Sequence, residues 1–183
     1  GQIPNGAGKG NMYVAAGTFN LGGFSETING LSGAGTVDGV SGTPILTVGD
    51  NNATGTFSGV IKNTAGTLSL TKIGTGFLTL SGVNTYTGAT TVSEGTLALG
   101  APGSISNSPL ISVASGATFN AGPGFTLGAG QTLAGEGTVL SAITVDGVVS
   151  PGIAGIGTLT SSNVTWNAGP AWPFELGAAG ASD

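Results

Sequence analysis

A short motif recurs about every twenty residues along almost the whole of this chain. Nearly every copy has a small residue, a threonine and a large apolar residue, and the apolar residues follow one another at steps of 18, 20, 20, 20, 22, 20 and 20 residues. They are Phe19, Val37, Phe57, Phe77, Leu97, Phe119, Val139 and Leu159. A fixed short period is typical of a solenoid, in which each repeat packs only on its neighbours.

Strand and turn signals alternate between the copies of this motif. Threonine alternates with branched aliphatic residues in runs such as 67–70 and 96–99, which is the two-residue period of a β-strand. Turn dipeptides such as Asn29-Gly30 and Asp146-Gly147 separate these runs. No stretch of ten residues shows the helical period. The chain is therefore predicted to be all-β.

The regular period also decides between β architectures. Sandwiches and barrels have evenly spaced strands, but neither requires apolar residues twenty positions apart. A parallel β-helix does, because one coil per repeat places these residues above one another, at about 4.8 Å per coil. We predict roughly nine coils of about 20 residues each, with Phe174 and Leu176 marking the last. The predicted core stack contains Val37, Phe57, Phe77, Leu97, Leu99, Phe119, Val139 and Leu159.

Composition excludes several classes of function. The 37 glycines raise the question of disorder, but 39% of the residues are hydrophobic, so a folded chain is favoured. The net charge is -5, with three Lys or Arg in all, which argues against binding of nucleic acid or anionic lipid. No run of eighteen apolar residues occurs, so no membrane insertion is expected.

The residue types needed for catalysis are scarce. The chain contains no histidine and no cysteine, and none of its three basic residues is an arginine, so most nucleophile–base pairs and metal clusters are excluded. Its eight acids are spaced out of phase with a twenty-residue coil, so a paired-carboxylate site is not expected. Asp50, Asn51 and Asn52 offer oxygens suited to calcium, but a polar corner is the favoured interpretation because the calcium-binding nonapeptide is absent. We expect no enzyme, no cofactor and no metal.

One segment carries a more specific pattern. Residues 56–61 read TFSGVI, residues 70–92 read LTKIGTGFLTLSGVNTYTGATTV, and residues 94–97 read EGTL. This pattern resembles the autotransporter-associated β-strand repeat, also called the passenger-associated transport repeat. The resemblance implies a right-handed, single-stranded parallel β-helix in an exported bacterial surface protein. Within the motif, we interpret Lys72 as an outward-facing cation and Tyr86 as a corner aromatic residue.

The period also suggests how the chain is divided. Residues 1–10 are a glycine-rich segment that we expect to be flexible or to contact another subunit, and residues 11–165 form the predicted β-helix. Residues 166–183 form a predicted C-terminal cap or interface segment, because the period fades there. Trp166, Trp172 and Phe174 are its candidate capping or self-association residues, and a carbohydrate platform is a third interpretation of the tryptophans. The chain starts at Gly1, so a signal sequence is expected to have been removed or not included.

These observations favour a structural, extracellular role. The ends of a β-helix carry unpaired main-chain groups that template further pairing unless they are covered. No amphipathic helix is evident at either end, and a head-to-tail contact of this kind generates a filament. The predicted function is therefore a stalk or a subunit of a self-assembling surface filament, whose partner is itself or adjoining modules of a longer protein. The alternatives are an adhesin that recognises glycans or a host surface, and a stalk fragment of an autotransporter passenger.

Overall fold

A computed structural model describes residues 3, 10–152 and 157–167. These residues form nineteen β-strands and no helix, in agreement with the predicted all-β class. Neighbouring strands pair in parallel and the chain passes from one sheet to the next at each turn. The fold is a parallel β-solenoid, which confirms the fold class predicted from the twenty-residue period.

The strands β1 to β19, numbered in chain order, make three sheets. Sheet A contains β1 (Met12–Val14), β4 (Leu31–Gly33), β7 (Gly55–Phe57), β10 (Phe77–Leu80), β12 (Thr96–Leu99), β14 (Thr118–Asn120), β15 (Phe125–Leu127), β17 (Thr138–Val145) and β19 (Thr160–Trp166). Sheet B contains β2 (Thr18–Gly22), β5 (Thr36–Gly39) and β8 (Val60–Asn63). Sheet C contains β3 (Glu26–Ile28), β6 (Ile45–Val48), β9 (Ser69–Lys72), β11 (Thr90–Val92), β13 (Leu110–Val113), β16 (Thr132–Gly135) and β18 (Val148–Pro151).

The number of coils is smaller than the sequence predicts. Each coil contributes one strand to sheet C, which has seven strands. The described residues therefore make about 7 turns of about 21 residues each. We number the coils by their sheet C strand, from β3 in the first coil to β18 in the seventh. Strand β19 continues into the next coil on sheet A. The ninth predicted coil, at Phe174 and Leu176, lies outside the described residues.

The core lies inside the coils, where alternate strand residues point inward and stack on their counterparts in the next coil. On sheet A, Leu78 pairs with Leu97, Leu97 with Phe119, and Phe119 with Val139. All four side chains are buried. Each fully buried side chain of this size contributes roughly 1.5–3 kcal/mol to folding.

Phe77 does not belong to this core, and its predicted inward position is wrong. It is 55% exposed and pairs with Thr96 rather than with Leu97. Leu78, the next residue of β10, is the one that pairs with Leu97 and takes the buried place. A shift of one residue moves a side chain to the opposite face of a sheet, which a search for the nearest large apolar residue cannot detect.

The other predicted core residues lie in more than one stack. Val37 is buried in sheet B between Phe19 and Ile61, not above Phe57. Phe57 and Leu99 are both buried and belong to a second sheet A column, in which each pairs with Leu80. Leu159 is half-buried and precedes β19. A common period therefore does not mean a common column.

On the side of the coils where sheet B lies, the hydrogen-bonded ladder between successive coils is interrupted once. Sheet B joins the first three coils, and a bridge between Val83 and Ser104 joins the fourth and fifth. Strand β15 follows the sheet A strand β14 in its own coil, and among the described strands it is joined to sheet A only by pairing with the second half of β17 in the next coil. In the described part of the chain, no hydrogen bond joins residues 104–106 to β15. This break coincides with the two-residue slip of the sequence period between Leu97 and Phe119.

Candidate functional site

The most unusual side chain of the solenoid is a buried lysine. Lys72 lies in sheet C between Val48 and Val92 and is 0% exposed, so its predicted outward orientation is wrong. Its ammonium group donates hydrogen bonds to the carbonyl oxygens of Ile73 and Gly74, both at 2.6 Å, and lies 3.4 Å from that of Glu94.

The surroundings of Lys72 disfavour its charge. Burial lowers the pKa of the ammonium below its ordinary value, and the nearby Glu94 carboxylate opposes part of that shift. The three carbonyl contacts join the corner of one coil to that of the next. Lys72 therefore acts as a connection between coils, whereas a catalytic lysine would need access to a substrate.

A second buried polar group follows Lys72 in the same repeat, where the fourth and fifth coils lack a sheet B strand. The Tyr86 hydroxyl lies 2.6 Å from the hydroxyl of Thr90, which donates to Ser108 at 2.9 Å. Ser108 donates in turn to the carbonyl oxygen of Gly88 at 2.9 Å. Burial raises the pKa of Tyr86 well above its ordinary value, although the hydrogen bond with Thr90 opposes this. Each hydroxyl group in this chain is hydrogen-bonded, so none of them is a free nucleophile.

The Asn84 side chain adds to the main-chain hydrogen bonds at the same place. Its carbonyl oxygen accepts a hydrogen bond from the Ile61 amide at 2.9 Å, and its amide group donates to the carbonyl oxygens of Gly82 and Ser104. The side chain is 1% exposed. One asparagine therefore satisfies groups in three successive coils, as buried polar groups require. The NTYTGAT stretch of the motif encodes this side-chain connection.

The Asp50-Asn51-Asn52 segment forms a polar corner. Asn29, one coil below, accepts hydrogen bonds from the amides of Asn51 and Ala53. Asn52 accepts one from the Thr75 amide in the next coil. The asparagine oxygens are thus used to join coils. Among the described residues, no group of three or more acidic, histidine or cysteine side chains is placed to hold a metal ion.

One ion pair lies on sheet B. The Lys62 ammonium is 3.3 Å from the Asp38 carboxylate, which also accepts hydrogen bonds from the amide and hydroxyl of Thr64. Burial alone would raise the pKa of Asp38, but the Thr64 hydrogen bonds and Lys62 leave this pKa below its ordinary value. Because the pair is half-exposed on the Lys62 side, it stabilises the coil only modestly.

The outer faces of sheets A and C carry no charge over their described strands. One outward row of sheet C consists of Thr27, Thr47, Thr71, Thr91, Ser112, Ala134 and Ser150. The paired rows of sheet A include Thr96, Thr118, Thr138 and Thr160. These surfaces offer regularly spaced hydroxyl and methyl groups for contact.

Trp166 lies at the end of β19, in register with Val145. Val145 pairs with Leu127 in the preceding coil, and both are fully buried. By register, Trp166 follows Val145 in this column, and it is 40% exposed at the last described coil. Trp172 and Phe174, the other candidate capping residues, lie outside the described residues, as do most of residues 1–10. The described residues include no helix that could span a membrane.

Comparison with known proteins supports the resemblance. Residues 70–99 match the family model of the passenger-associated-transport-repeat, which confirms the suggested resemblance over that segment. A stretch of 79 residues, 42% of this chain, is 40% identical to the protein named Adhesin BmaC autotransporter from Brucella suis biovar 1 (strain 1330). That stretch covers 2% of the length of the adhesin. No solved structure matches the chain.

Proposed function

Because residues 70–99 form a passenger-associated transport repeat, we propose that this chain is a structural, non-catalytic part of a β-solenoid passenger displayed outside a bacterial cell. The observation that carries the proposal is that its motif residues Lys72, Asn84 and Tyr86 all join one coil to another or close a buried hydrogen-bond chain. These three polar side chains of the motif are used to build the rod.

Surface display tests this proposal. The chain is placed between a signal peptide and an autotransporter translocator barrel in a bacterial host, and its exposure on intact cells is measured by added protease. We expect the unmodified chain and the outward Thr91→Ala variant to be displayed. The variant with Asn84→Ala and Tyr86→Phe should be displayed less or cleaved more readily. Retention of the unmodified chain inside cells that display the translocator alone would refute the proposal.

Adhesion is a second candidate function, favoured by the name of the Brucella relative and by the uncharged outer faces. A neutral glycan would contact the threonine rows through their hydroxyl groups. The test is binding of the purified chain to a glycan array and to immobilised matrix proteins. We expect Thr47→Lys with Thr71→Lys to reduce binding through sheet C, while Thr79→Lys on sheet A serves as the matched control. Equal binding by both variants would exclude sheet C as the binding face.

We also propose that such rods assemble head to tail into filaments. In the described residues, β1, β2 and β3 of the first coil each pair with a strand on one side only, and unpaired edges template further pairing. Electron microscopy of the purified chain distinguishes uniform filaments from rods of about 34 Å, the length of seven coils. Short rods alone after prolonged incubation at high concentration would refute assembly.

A further inference from the structure

The break in the sheet B ladder leaves a groove on the side of the rod. It lies between loop residues 100–106 of the fifth coil and residues 121–126 of the sixth, and its two adjoining parts share Gly103, Ala121 and Pro123. The larger part has a volume of about 220 Å³, which is below the range of roughly 300–1,000 Å³ typical of small-molecule pockets. Its lining residues include no charged side chain.

One wall of this groove is a strand edge. The Asp146 amide donates to the carbonyl oxygen of Leu127 at 2.9 Å, so Leu127 directs its main-chain groups towards β17. Alternate residues of a parallel strand direct these groups to opposite sides. The N–H and C=O groups of Thr126 therefore face the groove, and in the described part of the chain no main-chain or side-chain group bonds to them there.

The ladder continues on both sides of this gap. Asn84 and Ser104 pair on one side through a main-chain hydrogen bond of 3.0 Å, and β15 pairs with β17 on the other. Glycine and alanine line much of the groove, so the main chain is accessible there. Carboxylates are missing from the lining, which argues against a cation, and Phe125 is its one aromatic residue, which argues against a stacked sugar.

We propose that this groove binds an extended, uncharged polypeptide segment of another molecule, which adds a short strand to the free edge of β15. Main-chain hydrogen bonds to Thr126 supply the recognition, as in other cases of strand addition. Pro102 and Pro123 line the groove beside this edge and restrict the approach to a narrow segment. The free edge spans about three residues, so the complex is expected to be weak and reversible. The inference does not depend on the proposed export or adhesion.

The test uses the whole chain and a synthetic peptide with the sequence of residues 138–145, flanked by lysines for solubility. Backbone amide signals and hydrogen exchange are followed by NMR during titration. We expect the Thr126 amide to exchange about tenfold more slowly at saturation, and shifts to be confined to residues 103–106 and 121–127. Two control peptides carry N-methyl groups on alternate residues, one on the odd and one on the even positions. The peptide whose methyl groups replace the N–H donors that face β15 should fail to bind.

Two substitutions of Thr126 separate main-chain from side-chain recognition. Thr126→Val keeps the amide and should bind the peptide as the unmodified chain does. Thr126→Pro removes the amide that faces the groove and should weaken binding about tenfold, which corresponds to the loss of roughly one hydrogen bond. Its fold is checked by the unchanged signals of β17, because proline is tolerated where a strand amide has no ladder partner. Peptide binding unaffected by Thr126→Pro, binding elsewhere, or no binding at millimolar peptide would overturn the proposal.

Discussion

Replacing Lys72 by methionine tests how the solenoid tolerates a buried ammonium group. Methionine has a similar length, and the flanking residues Val48 and Val92 form an apolar site for it. The change removes the cost of burying a charge but also two hydrogen bonds of 2.6 Å. The acceptors, Ile73 and Gly74, lie at a half-exposed corner where water can replace the ammonium.

We therefore expect Lys72→Met to be between neutral and about 2 kcal/mol more stable, since apolar replacement of buried ions is often stabilising. Lys72→Ala leaves a cavity in the column and should cost about 2–4 kcal/mol. The contrast between the two variants separates the effect of charge from that of volume.

The pH dependence provides a second signature. The folded-state pKa of Lys72 is lowered, so between that pKa and the unfolded value near 10.4 the unfolded chain binds a proton that the folded chain lacks. The free energy of unfolding of the unmodified chain should then rise with pH relative to that of Lys72→Met. Tyr86 titrates in the opposite sense in both proteins, so its contribution cancels in the difference.

Urea unfolding followed by circular dichroism gives the free energies. Hydrogen exchange of residues 69–73 adds a local measure, because the stability of a solenoid is a sum over its coils. Destabilisation of Lys72→Met by more than about 3 kcal/mol would refute the reasoning, because the two carbonyl hydrogen bonds would then outweigh the cost of burying the charge. A pH dependence identical in both proteins would refute the assignment of the titrating group.

Three further changes test the fold. Phe77→Thr should alter the free energy of unfolding by less than about 0.5 kcal/mol, whereas Leu78→Ala should cost about 2–5 kcal/mol; equal effects in urea unfolding would contradict the register. Gly82→Ala should prevent close stacking because its Cβ would overlap the carbonyl oxygen of Gly59, whereas Gly130→Ala, with nothing within 4 Å, should be neutral by thermal unfolding. The unmodified chain should lose stability as pH falls from about 4 through the lowered Asp38 pKa. Asp38→Asn should lack this part of the pH dependence, and parallel acid-unfolding curves for the two proteins would count against that role of Asp38.

The fold class could be predicted because the coil length of a solenoid appears in the sequence as a period. The positions of individual side chains could not be predicted as well. The period identifies which residues recur but not which of three sheets each occupies, so Val37 and Phe57 looked equivalent although they lie in sheets B and A. The period places Phe77 in the core because a slip of one position leaves the period almost unchanged.

The buried polar residues were harder to predict. A single lysine among threonines has the expected pattern of a surface residue, because burial of a charge is rare unless it is satisfied. The signal that could have located Lys72 is strand alternation, since it falls in phase with Leu70 and Val92. Its acceptors are main-chain carbonyl groups at a glycine-containing corner, whose positions depend on the fold.

The side-chain connections that join one coil to the next all span nearly the same number of residues. Asn84 joins Ser104 across 20 residues, Lys72 joins Glu94 across 22, and Asp38 joins Thr64 across 26. Both partners of each pair lie about one coil apart in the sequence. The entropy of loop closure for these pairs therefore depends on the length of the coil and not on the length of the protein. Each coil can therefore be completed as soon as the next one follows it. The time needed to form a given coil would be the same in a rod of seven coils and in one of seventy.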